Sequence, residues 1–313
     1  MKKLTIFTAP KPFTNPHIAL IQRNAIQSWI ALGDQVEVIL IGEEDGLAEV
    51  AKEYDLPHYP DVKRNTYGTP LVSDIFHLAR QHAKSDMLCY INADVILTPD
   101  ILSAMMITAA RWDEFLIVGQ RWDLDVREPI IYDEAWVKIM RADVAKRGRL
   151  HPAGGSDYFL FPKECFKRMP DFAIGRAGWD NWMFYEARQK GWPLVDASKS
   201  LMIIHQDHDY SHLPNSQPHY RLPETAENVQ LAGGPRAIFN LFDADYLLND
   251  NGIEIMPMTC KKFWREVEIF PLVTWHSKGL AQIVFAILHP IKGYRELRQW
   301  LAGQRKKNGE AES

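Results

Sequence analysis

Through the first two hundred residues, short apolar runs rich in β-formers alternate with stretches whose apolar residues recur at helical spacing. That alternation restricts the fold more than any other feature of the chain. Leu4-Thr5-Ile6-Phe7-Thr8 reads as a strand halted by Ala9-Pro10-Lys11-Pro12. From His17 to Leu32, residues Ile18, Ile21, Ala25, Trp29 and Leu32 share a helical face that Gly33 closes. Val36 to Ile41 is the next strand and ends at Gly42-Glu43-Glu44-Asp45; Leu47 to Tyr54 is a short helix, and His58 to Val62 a short strand. Leu71 to Ala83 reads as helix, Met87 to Ile91 as strand, Ile101 to Arg111 as helix and Phe115 to Gly119 as strand. Such a β-α-β-α order predicts an α/β fold, a mainly parallel sheet flanked by helices on both faces. Ligands of such sheets bind beyond the C-terminal strand ends, where strand order reverses. Ala9 to Phe13, Gly42 to Asp45 and Asn92 to Asp94 all fall at predicted strand ends, so one site can draw on all three.

At 313 residues, 46% hydrophobic and 24% charged, the chain has ordinary globular composition. A net charge of −4 provides no bulk basic surface, so no nucleic-acid partner is expected. Cys89, Cys165 and Cys260 are far apart and odd in number, and they read as reduced core residues of a cytoplasmic protein. Met-Lys-Lys followed by Leu4 to Phe7 is too short for a signal peptide's apolar region, and no run of 18 apolar residues exists. The dinucleotide G-x-G-x-x-G, the P-loop, the G-x-S-x-G elbow and H-E-x-x-H are all missing.

Three segments carry candidate chemistry. The strand at Met87 ends on Asn92-Ala93-Asp94. On extended backbone that spacing puts both side chains on one side, as oxygen ligands for a hard divalent cation; the competing reading is a strand end with an Asx turn. Gly154-Gly155-Ser156-Asp157 precedes an aromatic strand from Tyr158, and glycines there permit close approach of a ligand. Trp179-Asp180-Asn181-Trp182 opens a helix that runs to about Lys190. Asp180 or Asn181 is expected as its N-cap, and the rings of Trp179 and Trp182 offer either flat faces for a sugar or core packing. Finally, Leu201 to Ile204 runs into His205-Gln206-Asp207-His208-Asp209-Tyr210-Ser211-His212. His205 at the strand end would complete an Asp/His ligand set; the alternatives are a zinc site from His205, His208 and His212, or a polar loop.

Together these segments resemble the nucleotide-sugar-dependent glycosyltransferases of the GT-A fold. The resemblance covers about residues 3 to 212 and implies a catalytic domain over 1–212 with a mostly helical or irregular extension over 213–313. It implies that Asn92-Ala93-Asp94 stands for the D-x-D motif, with Mn²⁺ or Mg²⁺ held by Asp94, His205, Asn92 and His208. It also implies Asp180 as the base of an inverting transfer, with Trp where the family's Glu would be. Donor contacts are then expected from Thr8, Ala9, Pro10, Glu43 or Glu44, Arg64, Asn65, Asn92 and Asp94, and acceptor contacts from Asp157, Trp179 and Trp182. The implied partners are a nucleoside-diphosphate sugar and a carbohydrate or lipid-linked acceptor. The rival readings are a sugar-1-phosphate nucleotidyltransferase, whose Gly-rich basic loop Thr8 to Pro12 does not match, and a non-catalytic nucleotide- or carbohydrate-binding module. Residues 280 to 303, broken at Pro290 and followed by Arg305-Lys306-Lys307, are expected to pack on the catalytic domain or to rest peripherally on the inner membrane face.

Overall fold

The computed structural model describes residues 3–208 and 222–298. The chain divides into two compact units, Met1–Met256 and Pro257–Ser313, a division that lies beyond the boundary expected at residue 212. The reason is strand pairing. β10 (Leu194–Asp196) pairs in parallel with β12 (Tyr246–Asn249), and β13 (Gly252–Ile255) pairs antiparallel to β12. The sheet of the first unit therefore draws on residues well past 212.

That sheet has nine strands in the order β13-β12-β10-β6-β9-β4-β1-β2-β3. β1 (Leu4–Thr8), β2 (Val36–Ile41), β3 (His58–Tyr59) and β4 (Met87–Ile91) run parallel, as do β6 (Leu116–Val118) and β10. β9 (Tyr158–Pro162) runs against both β4 and β6. Helices α1 (Pro16–Ile30), α2 (Leu47–Glu53), α3 (Val72–His82) and α4 (Asp100–Ala109) fall where the apolar periodicity places them. Further on come α5 (Trp136–Arg147), α6 (Trp179–Lys190) and α7 (Pro223–Leu231). A second sheet, in the order β5-β11-β7-β8, joins β5 (Val95–Leu97), β7 (Trp122–Leu124), β8 (Arg149–Leu150) and β11 (Ile203–Gln206).

The core explains the exceptions in the apolar pattern. β1, β2 and β9 are buried along their whole length, as central strands covered on both faces should be. Glu37, the one charge in β2, accepts from Thr5 Oγ1 at 2.9 Å and from the Lys84 N–H at 2.9 Å, so its burial is compensated. Trp29 is fully buried and donates its indole N–H to the Val95 carbonyl at 3.0 Å, tying α1 to β5. Cys89 and Cys165 are buried, but Cys260 is exposed because it begins α8 (Cys260–Val273).

The described residues of the second unit are mostly helical. α8 packs on α9 (Lys278–Leu288), and residues 290–298 continue as helix. No helix among the described residues is long and apolar enough to cross a membrane.

Candidate active site

The chain builds β1, β2 and β3 in one direction and then returns to place β4 on the other side of β1. Strand order reverses there, so the crevice of this sheet opens beyond Thr8 and Ile91. The Asn92 N–H donates to the Asp157 carbonyl at 2.9 Å, and the Asn92 carbonyl accepts the Val95 N–H at 3.1 Å. Residues 92–95 thus form a turn rather than extended backbone, and the two-residue alternation does not apply to them. Asn92 and Asp94 consequently face different partners. Asn92 Oδ1 accepts the Tyr90 hydroxyl at 3.1 Å and its Nδ2 donates to Asp157 Oδ1 at 3.0 Å. Asn92, expected among the cation ligands, has its amide on Tyr90 and Asp157, while Asp94 is the member of the pair that faces the histidines.

Asp94 gathers the cluster. Its Oδ2 lies 3.0 Å from His208 Nε2 and 3.1 Å from Lys11 Nζ, and its Oδ1 lies 3.8 Å from His205 Nε2. Ligand atoms of Asp94, His205 and His208 all fall within 4.8 Å of one another. β11 runs past Ile204, and pairing continues beyond it: the Asp207 N–H donates to the Leu124 carbonyl at 2.9 Å. His208 is therefore held close to Asp94 rather than loose in a polar loop. Gln206, fully buried, donates to the carbonyls of Asp94 and Ile21 and accepts from Asn24. These bonds fix the backbone that carries the acid, a supporting role familiar from metal sites. His212 lies outside the described residues.

Two atoms of the cluster, Asp94 Oδ1 and His205 Nδ1, are buried without a hydrogen-bond partner. Leaving such atoms unsatisfied costs about 1–3 kcal/mol each, and both belong to the groups a cation would take. Burial pushes the Asp94 carboxyl up, but the charges of Lys11, His205 and His208 outweigh it and hold the group well below the usual carboxylate range. Burial lowers the His205 imidazole below its ordinary value, although Asp94 and Asp157 oppose the shift. Ligands of these types bind a metal as ionised carboxylate and neutral imidazole. Their donor set, one carboxylate and two imidazoles, suits Mn²⁺ better than Mg²⁺, which prefers oxygen alone.

A second ring of charge surrounds this one. Asp123, on β7, lies 3.6 Å from His205 Nδ1, accepts from Arg121 Nε at 2.9 Å and meets His151 Nδ1 at 2.8 Å. Arg121 also binds Asp157 Oδ2 at 2.5 Å. Asp123, His205 and Asp207 form an alternative three-ligand group. Sequence reasoning missed Lys11, Arg121, Asp123 and His151. Only Lys11 stood in a recognised segment, the Pro-bracketed loop after β1; the others are assembled by the pairing of β7 with β8 and β11.

Asp180 sits in the first turn of α6 but does not cap it. Gly178, at φ 110°, occupies that place, and the Gly178 N–H donates to Asp180 Oδ1 at 3.2 Å. A Cβ on Gly155 would stand 2.7 Å from Asp180 Oδ2. The glycine loop foreseen as a close-approach element therefore lies against this carboxylate. Burial raises the Asp180 carboxyl, backbone N–H groups oppose the shift, and the charge of Asp157 adds to it. The Tyr90 phenol is pushed up by burial and then by Asp94, Asp157 and Asp180, which places all three carboxylates within electrostatic reach of one ring.

Trp179 and Trp182 present no open faces. Trp179 packs edge-on to Tyr90 at 5.0 Å and lies 5.3 Å from Phe159, while Trp182 packs 5.4 Å from Phe172. Both are buried, so the expected acceptor contacts are corrected to core packing. They bury large apolar area and fix the start of α6. Among the expected donor contacts, Arg64 pairs with Glu43 and Glu44, each at 3.0 Å, and donates to the Gly68 carbonyl. Asn65 donates to Glu224 at 2.8 Å. Thr8 Oγ1 and Glu44 Oε2 are buried without hydrogen-bond partners; Pro10 is buried and Ala9 partly so.

No protein-family profile and no curated protein matches the chain. Several solved structures are similar to it. One is TarS of S. aureus in complex with UDP-GlcNAc, at 11% identity and a TM-score of 0.49, covering 74% of this chain and 65% of TarS 1-349. The chain thus spans just under two thirds of that structure. Another is the mannosyltransferase PcManGT of Pyrobaculum calidifontis in complex with GDP-Man and Mn²⁺, at 13% identity and 0.43, covering 67% and 58%. A third is glucosyl-3-phosphoglycerate synthase of Mycobacterium tuberculosis with Mn²⁺, UDP and phosphoglyceric acid, at 14% identity and 0.46, covering 82% and 88%.

Proposed function

We propose that this chain is a divalent-metal-assisted glycosyltransferase that moves a sugar from a nucleoside-diphosphate sugar to an acceptor hydroxyl, with inversion. The observation that carries the reading is the Asp94–His205–His208 cluster at the reversal between β1 and β4, with two of its buried polar atoms unsatisfied. Asp94, His205 and His208 would hold Mn²⁺, or Mg²⁺ less well. The cation, when bound, supplies neutralisation of the charge that builds on the departing diphosphate. Lys11, now on Asp94, would be displaced toward the phosphates.

Thr8, Ala9 and Pro10 line the β1 end for the nucleobase, and Glu43 or Glu44 reaches base or ribose. Arg64 and Asn65 would address diphosphate or donor sugar after exchanging their present carboxylate partners. Asp180 takes the acceptor proton. Burial raises its carboxyl above the ordinary range, so it holds a proton more readily than a solvated carboxylate, as a general base must, and its Oδ2 lies against Gly155. Asp157, held by Arg121 and Asn92, flanks the acceptor side. The buried thiols of Cys89 and Cys165 accord with a reducing, cytoplasmic setting.

The test is product formation. A panel of nucleoside-diphosphate sugars is incubated with Mn²⁺ and sugar acceptors, and free nucleoside diphosphate is measured for the natural chain and for Asp94→Ala. Release that requires both Mn²⁺ and Asp94 is expected. Pyrophosphate-dependent formation of nucleoside triphosphate would indicate a nucleotidyltransferase instead, and donor binding without release would indicate a binding module.

A further inference from the structure

The second unit differs chemically from the first. Residues 257–313 carry ten Lys and Arg against five Asp and Glu, whereas residues 1–256 carry 26 against 35. A basic segment, helical over much of its described part, thus follows an acidic one. The unit also leaves apolar side chains in solvent at helical spacing. On α8, Phe263, Trp264, Val267 and Phe270 are exposed, Trp264 at 52%. On α9, Leu280, Ile283 and Ile287 repeat on one face, with Ile287 at 71%. The following helical stretch, 290–298, adds Ile291 at 76%, Tyr294 and Leu297. So many exposed large apolar side chains on three successive helical stretches mark an interaction site rather than chance exposure.

These helices are nonetheless built to stay folded. Ile269, Leu272, Ala281 and Phe285 are buried. Gly293 lies so close to Ala286 that a Cβ would stand 2.9 Å from its Cα. The acids are used internally: Glu268 meets Arg265 and His289, each at 2.9 Å, Glu266 meets Lys262 at 2.7 Å, and Gln282 donates to Glu296 at 3.0 Å. Lys278, Lys292, Arg295 and Arg298 are exposed beside the apolar residues.

Charge decides the occupant. A second copy placed on this face would bring two basic units together, and the repulsion would oppose the apolar contact. An anionic lipid surface offers apolar depth and negative headgroups at once. The helices cannot span it: α8 has 14 residues and α9 has 11, against about 20 needed to cross. We propose that the helical unit over residues 257–298 docks in the plane of an anionic bilayer surface. Its exposed Trp, Phe and Ile side chains enter the headgroup boundary, and its Lys and Arg side chains lie among the phosphates. The proposal is independent of the reading of the catalytic cluster.

The experiment is flotation of the full chain with vesicles of phosphatidylglycerol and phosphatidylethanolamine, beside vesicles of phosphatidylcholine alone. Binding to the anionic vesicles that weakens with salt is expected, with little on phosphatidylcholine. Lys292→Gln with Arg295→Gln should weaken binding roughly 25-fold, from about fivefold per basic residue at the surface. Ile287→Ser and Trp264→Ala should each weaken it roughly tenfold, from lost apolar insertion. All four positions are solvent-exposed, so unchanged unfolding curves should accompany each loss. Failure to float with anionic vesicles overturns the proposal, as does binding that these substitutions leave untouched. Concentration-dependent self-association without vesicle binding would also overturn it and assign the face to a second copy.

Discussion

Asp180→Asn separates the chemistry of the site from its architecture. The structure argues that the fold survives. Asn Oδ1 can keep the hydrogen bond from the Gly178 N–H, and the amide fills the volume of the carboxylate beside Gly155. Burial raises the Asp180 carboxyl above its unfolded value, so the folded state disfavours its ionised form. Its contribution to stability therefore falls as pH rises from the unfolded pKa through the folded one, and the deficit is complete above the folded pKa. Asparagine removes that deficit, so the variant should be no less stable than the natural chain at neutral pH, with the advantage vanishing in acid. Asparagine cannot accept a proton. Loss of a general base lowers turnover by roughly 10²–10⁴, equivalent to about 2.7–5.4 kcal/mol of barrier. The assay is the transfer rate across pH beside donor affinity. The natural enzyme should lose rate on acidification through a pKa above the ordinary carboxylate range, and the residual rate of the variant should lack that limb. Donor affinity should hardly move. A near-normal rate with the acidic limb intact would remove Asp180 as base, and a collapsed fold would make its role structural.

Three further outcomes follow from the same geometry. Gly155→Ala brings a Cβ to 2.7 Å from Asp180 Oδ2; because a carboxylate can swing aside cheaply, stability should hold while turnover falls, and unchanged kinetics would show the contact irrelevant. His205→Ala and His208→Ala should each weaken Mn²⁺ binding by at least roughly 10–100-fold, the range seen for groups that merely support ligands; titration calorimetry checks this, and a loss confined to one of them would shift the site toward Asp94 alone or toward Asp123. Lys11→Met removes the ammonium 3.1 Å from Asp94, so Mn²⁺ should bind roughly fivefold tighter, about 1 kcal/mol for a partly exposed pair, while nucleoside-diphosphate affinity drops; weaker Mn²⁺ binding would mean that Lys11 supports the cluster instead of competing for it.

Much of the first unit was legible because its signals are local. β4 and β9 are continuous apolar runs, β1 and β2 are runs of β-formers broken only by Thr5, Thr8 and Glu37, and α1 through α4 have apolar faces that any helix over those residues must bury. What escaped is set by pairing between distant segments. β12 and β13 have four residues each; β12 is a strand because β10 offers it an edge, and β13 because β12 does. β11 reaches Gln206 because β5 and β7 flank it, and that pairing brings His208 to Asp94. The Asn92-Ala93-Asp94 segment shows the limit most clearly. Its residue types point to a cation site, but whether two side chains share a face depends on a turn closed by Asn92 and Val95, and the turn sends Asn92 to Asp157. The aromatics of this segment read mostly as core, although Trp179 and Trp182 could also offer sugar-stacking faces; both rings pack among Tyr90, Phe159 and Phe172.

The central claim is that Asp94 with its two histidines binds a cation which in turn recruits a nucleoside diphosphate. Thermal unfolding with UDP and GDP, each with and without Mn²⁺, tests it most directly. A ligand that binds only the folded state at about 100 times its dissociation constant adds roughly 2.7 kcal/mol of stability. The midpoint should rise with Mn²⁺ and one nucleoside diphosphate together by more than the two separate shifts combined, and Asp94→Ala should abolish that excess. A nucleotide shift that is the same without Mn²⁺, or an excess that survives Asp94→Ala, would contradict the assignment.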